Sequence, residues 1–189
     1  LSGVTDAKVY NNTFDGSNTG YCALYLNGVS GGQVYRNTFV NLTETRGLGI
    51  SAAWNETTNE NIDIHHNIFD KITSKGIEVY NYTIYTKDKK WKSISPTYDT
   101  FKNITIRDND FTGISGQPIV NNYDVSLFNL ENIIADNTFA TAAFLCNGDG
   151  TIKEEKIYTD IQDVIDQAKN GDTVKVYPGT YSEEIRIEK

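Results

Sequence analysis

The stretch VYNNTF at residues 9–14 returns as VYRNTF at 34–39, IHHNIF at 64–69, IRDNDF at 106–111 and IADNTF at 134–139. Each copy reads apolar, x, x, Asn, x, Phe, and successive copies lie 25, 30, 42 and 28 residues apart. A motif recurring at such a period marks a stack of similar units, each burying its apolar face on its neighbours. If each repeat is one coil laid on the previous one, equivalent residues stack. Val9, Val34, Ile64, Ile106 and Ile134 then form an inward aliphatic ladder, and Phe14, Phe39, Phe69, Phe111 and Phe139 an inward aromatic one. Asn12, Asn37, Asn67, Asn109 and Asn137 line a turn, their amides bonding along the column, and Asn tolerates the left-handed backbone of tight turns.

Alternation before each Asn, as in Ile62-x-Ile64 and Ile104-x-Ile106, reads as strand. A second apolar strand follows each Phe, at 23–26, 48–50, 77–79, 118–120 and 144–146. A β-sandwich also has evenly spaced short strands, but nothing in it requires Asn-x-Phe five times in one register. The expected fold is all-β: a right-handed, single-stranded parallel β-helix of about five coils over residues 1–150. The variable spacing places insertions in outer loops. The longest, 81–102, carries Trp91 among Lys87, Lys89, Lys90 and Lys92. It reads as a hairpin flap packed on the coil or, alternatively, as a ligand-facing loop.

The 189 residues carry a net charge of −8, which argues against nucleic acid and against an anionic membrane surface. No apolar run approaches the ~20 residues that span a bilayer, so no membrane insertion is expected. Methionine is absent and Tyr numbers 12, a profile of a polar-surfaced extracellular or cell-surface protein. Cys22 and Cys146 fall in the first and fifth coils, about 19 Å apart at about 4.8 Å per coil, too far for a disulfide. Two free, buried thiols are expected. Sequons at Asn11, Asn41, Asn55, Asn81 and Asn103 fit an exported chain.

After Gly150 the pattern changes. Residues 151–156 read as a polar linker. Thr159 or Asp160 then caps a helix whose apolar face is Ile161, Val164, Ile165 and Ala168, and Gly171 stops it. Val174 and Val176 alternate as a strand, Pro178-Gly179 turns, and Ile185 and Ile187 begin another strand. GDTVKVYPGTY at 171–181 resembles the opening of pectin lyase-like β-helix domains, where an amphipathic helix caps the first coil before such a strand and turn. The Asn-x-Phe coils resemble repeats of the same superfamily. The resemblance implies the fold. It leaves the activity open among lyases, hydrolases, epimerases, tailspikes and adhesins.

Residues 151–189 are thus expected to be a linker, an amphipathic helix and the first strands of a following β-helix or a cap. Leu1 reads as lying inside a repeat. Two accounts follow: a segment of a tandem array, or head-to-tail self-association in which the C-terminal unit packs on the first coil of another copy.

The outward row beside the aliphatic ladder is Tyr10, Tyr35, His65, Arg107 and Ala135, and the adjoining turn row is Asn11, Arg36, His66, Asp108 and Asp136. Asp63 and Asp110 flank them. In β-helix enzymes polysaccharide lies across the parallel sheet, so the resemblance points to this row. Tyr10, Tyr35, Arg36, His66, Trp91 and Asp136 are the candidate ligand contacts, with rings to stack on sugars and charges to bond hydroxyls or carboxylates. His65, Arg107 and Asp108 are the candidate catalytic residues of a polysaccharide lyase or glycosidase. Asp108 and Asp136, near 5 Å apart in strict register, would suit retaining hydrolysis. The plainer reading makes Asp a turn former, His a solvated strand residue and Arg107–Asp108 a surface ion pair of little worth. No cofactor or metal is indicated; a lyase reading would leave room for Ca2+, but the acidic cluster is thin. The partner expected is a glycan or other cell-surface polymer, with adhesion, glycan contact or a structural role ahead of catalysis.

Overall fold

The computed structural model describes residues 1–16, 22–51, 58–80, 101–122 and 126–187, and the backbone of 82–85 and 91–94. The chain runs in layers. The first holds β1 (Ser2–Thr5), β2 (Lys8–Tyr10) and β3 (Thr13–Asp15). The second holds β4 (Cys22–Ser30), β5 (Gln33–Tyr35) and β6 (Thr38–Val40). The third holds β7 (Arg46–Ser51), β8 (Asn59–His65) and β9 (Ile68–Ile72). The fourth opens with β10 (Lys75–Val79) and carries a hairpin insertion, β11 (Tyr82–Tyr85) paired antiparallel with β12 (Trp91–Ile94). It closes with β13 (Phe101–Arg107) and β14 (Asp110–Ile114). β15 (Gln117–Asn121) begins the last layer, followed by α1 (Leu130–Ala135) and β16 (Ala143–Cys146). α2 (Ile161–Gln167) and β17 (Thr173–Val176) complete the chain.

Strands of successive layers pair in parallel, giving sheets of nine and four strands. Register follows the motif. Val9, Val34, Ile64 and Ile106 face one another along β2, β5, β8 and β13. Leu24, Leu48, Ile77 and Ile119 do so along β4, β7, β10 and β15. The five Phe rings stack in one column with centroids 4.8, 4.8, 4.7 and 5.1 Å apart. That is the strand spacing, so each layer places one ring in contact with the next.

The Asn column is bonded as expected. From Asn12 to Asn137 each side-chain amide donates to the next Oδ1, at 3.1, 3.0, 2.9 and 2.9 Å. Each ladder backbone N–H donates to the same oxygen. Asn37, Asn67 and Asn109 are buried, and this network is what satisfies them.

One expectation changes. The left-handed residue is not the ladder Asn but the one before it: Asn11, Arg36, His66 and Asp108 have φ of 56, 54, 56 and 54°. A second left-handed corner stacks Asp6, Gly31, Asn61 and Asn103, with φ of 53, 72, 54 and 50°. At Gly31 a Cβ would lie 2.2 Å from Asp6 Oδ1, so a side chain there would have to push the Asp6 carboxylate aside.

The fifth layer departs from strict repetition. Ile134 lies in α1, not in a strand, although it is buried. Asn129 caps this helix by accepting the Asn132 N–H at 3.1 Å. β16 does not extend the parallel sheet but pairs antiparallel with β17, Ala143 opposite Val176. Its sides divide two cores: Phe144 and Cys146 face the stack, while Ala143 and Leu145 pack with Tyr158, Ile161, Val164 and Ile165. The cap-like unit therefore seats on the last layer of its own chain.

Residues 151–156, read as a linker, are tied down by bridges from Ile152 to Cys146 and Lys156 to Val120, and Tyr158 just beyond them bridges to Ala143. Glu155 secures them. Its carboxylate accepts the Leu127 and Phe128 backbone N–H groups, the Asn121 amide and the Ser126 hydroxyl. Asp160 is the α2 N-cap, and Glu183 accepts the Ile161 N–H at 2.8 Å. Ile185 and Ile187 form no strand. The chain there runs along α2, with the Arg186 N–H on Gln162 Oε1, and Ile187 is 76% exposed. Cys146 is buried, but Cys22 is only half-buried, and both are free. Burial pushes both thiols up. Asn55 and Asn81 lie outside the described residues.

Candidate functional site

The outward row forms because β2, β5, β8 and β13 stack in register, so Tyr10, Tyr35, His65 and Arg107 come side by side. Tyr10 and Tyr35 stack at 5.0 Å with 7° between planes, and Tyr35 and His65 at 5.1 Å with 1°. Both faces of Tyr35 are therefore covered, and only its edge and hydroxyl point outward. Tyr10, 49% exposed, keeps one open face.

At the other end of the row the charges gather. Arg107 donates from Nη2 to Asp63 Oδ2 and from Nη1 to Asp108 Oδ2, each at 2.7 Å. Asp63 Oδ2 also lies 3.7 Å from His65 Nε2. The two imidazoles meet at Nδ1, 2.9 Å apart, so one of them donates. Partial burial holds His65 below its ordinary pKa, outweighing the opposing pull of Asp63. The hydrogen bonds that Arg107 donates to the Asp63 and Asp108 carboxylates raise its pKa. The arrangement is a pair of imidazoles beside a guanidinium that bridges two carboxylates.

Three candidates stand apart from this cluster. Asp136 is the C-cap of α1, and its backbone oxygen accepts the Asp108 N–H at 2.6 Å. Its carboxylate joins no bond of the cluster, because the helix breaks the strict register that would pair it with Asp108. Asp110 is occupied locally by the N–H and hydroxyl of Thr112. Arg36 is exposed at its left-handed corner. Trp91 has its backbone in β12, and its side chain lies outside the described residues.

A second cluster escaped the motif reading. On β10, Glu78 is 1% exposed, held by Arg46 and Lys75 and by the amide of Asn122. Arg46 also lies over the Tyr80 ring, 4.6 Å from its centroid. Burial lowers Lys75 and raises Tyr80. The signal was there: Arg46-Gly-Leu-Gly-Ile50 and Lys75-Gly-Ile-Glu-Val79 share one register, which sets the two cations beside each other. The glycine is a packing requirement, since a Cβ at Gly76 would lie 2.6 Å from the Pro118 oxygen.

Among the described residues no group of three or more His, Cys, Asp or Glu is disposed to hold a metal ion. No helix there is long and apolar enough to cross a membrane. No protein-family model, curated protein or solved structure matches the chain.

Proposed function

We propose that the chain is a right-handed parallel β-helix module, related in design to the pectin lyase-like superfamily, from a secreted or cell-surface protein. It contacts a glycan or similar surface polymer through its outward row and does not turn it over. The observation that carries this reading is the engagement of Asp63 and Asp108 by the single guanidinium of Arg107. Hydrolysis of a glycosidic bond needs one carboxyl free to give a proton and another free to attack or activate water. Here both are acceptors of one cation. What remains presented is a flat stripe of hydroxyls, ring edges, imidazoles and a guanidinium, suited to hydrogen-bonding along an extended polymer.

The test is a glycan array probed with the protein and with Arg107→Ala. Binding should appear and weaken about tenfold in the variant, the scale of one charge-assisted contact. Absence of binding to every glycan would reject the reading.

One observation favours a second reading, a lyase. His65 lies beside Arg107 in register, and burial disfavours its protonated form, as for a base next to a uronate neutraliser. Product release by the protein, abolished in His65→Ala, would establish it.

A further inference from the structure

β15 and the segment 152–156 bridged to it line a cavity of about 580 Å3. A second cavity, of about 610 Å3, adjoins it at Ser126 and Ile152. Each is within the size range of small-ligand sites. None of the outward-row residues lines either one.

The lining has unused bonding capacity. Among the described residues the Gln117 amide has no partner. Glu154 takes the Tyr158 hydroxyl on Oε2 at 3.1 Å and leaves Oε1 open. Asn122 commits its amide N–H to Glu78 and keeps Oδ1. Lys156 lies over the Tyr158 ring, 4.2 Å from its centroid, with no carboxylate within ion-pair distance among the described residues. Val120 and Ile152 supply an apolar wall.

This set favours a ligand that both donates and accepts hydrogen bonds. An apolar ligand would strand four polar groups without partners. An anion would meet Glu154, and a cation would meet Lys156. A neutral ring bearing several hydroxyls, each both donor and acceptor, matches alternating donors and acceptors and lays its C–H face on the aliphatic wall.

We propose that this groove binds a short neutral oligosaccharide, one sugar ring seated against Val120 and the chain continuing past Ser126. The site extends the glycan-contact reading but stands on separate residues, so each can fail alone. Titration calorimetry would use tetrasaccharides of glucose, mannose and xylose, with a tetrasaccharide of galacturonic acid as the charged control. At least one neutral probe should bind at sub-millimolar concentration. Gln117→Ala and Glu154→Gln should each weaken it about tenfold, and Arg107→Ala should leave it unchanged. Glu154→Gln keeps an acceptor for Tyr158, so it serves if Gln117→Ala misfolds. The proposal is overturned if no neutral probe binds, if the charged control binds best, if both groove variants bind like the parent, or if Arg107→Ala abolishes binding.

Discussion

The fourth and fifth copies of the motif, IRDNDF and IADNTF, look alike and fold differently. Ile106 sits in a strand paired with β8, and Ile134 sits in a helix. Yet Asn137 still accepts from Asn109, and Phe139 still stacks on Phe111. The Asn amide shows how one motif serves both. In the strand layers it donates to the carbonyl two residues back, as Asn109 does to Arg107. After α1 it donates to Ile133, four residues back, closing the helix end. The motif thus specifies two interior ladders and leaves the segment before them free to be strand or helix.

Breaking the aromatic column should have the largest effect. Phe69 is fully buried between two rings, and Phe69→Ala should cost about 3–5 kcal/mol in denaturant unfolding. Phe139→Ala, at the half-buried end of the column, should cost clearly less. Equal losses would mean that the fifth layer is as integral as the third. Asn67→Ala should follow, at about 3 kcal/mol, because it strands the Asn37 N–H and amide in the interior. Asn137→Ala strands the matching two groups of Asn109, but at a half-buried position that water can reach, and should cost about half as much.

Glu155→Ala separates the two regions in another way. It should cost about 2 kcal/mol and speed hydrogen exchange at 151–158, leaving layers two and three protected. Exchange rising everywhere would show one cooperative unit.

The smallest effects lie outside. His66→Asn relieves a left-handed corner and should stabilise by a few tenths of a kcal/mol. His65 has a lowered folded pKa, so the unfolded chain binds its proton more readily. Its contribution is present at neutral pH and is lost as pH falls through about 6.5, the unfolded value. His65→Gln should flatten that part of the stability profile, measured against the parent across pH 5–8.

The two regions also differ in how legible they were. The ladders could be read because every layer must fill the same interior, so one residue type recurs at one position. α1 was missed because Ile134-x-x-Asn137-x-Phe139 fits a strand equally well. The contrary signal lay upstream, in a cap residue at Asn129 and apolar Leu130, Ile133 and Ile134 at helical spacing. The outward cluster was half legible. Register predicted that His65 and Arg107 adjoin, but not that Arg107 would reach back to Asp63 and occupy both carboxylates. Glu78 was harder to read: the Arg46 and Lys75 segments match in register, but Asn122 lies 44 residues away in the chain and belongs to no such pattern.

The central claim is that this exterior holds a polymer without cutting it. The direct measurement is incubation of the protein with each glycan whose retention on the array falls in Arg107→Ala, followed by assay of new reducing ends and unsaturated sugar. The account predicts retention that depends on Arg107 and no product beyond the no-protein control. Product that accumulates with time and disappears in Asp108→Asn or His65→Ala would contradict it.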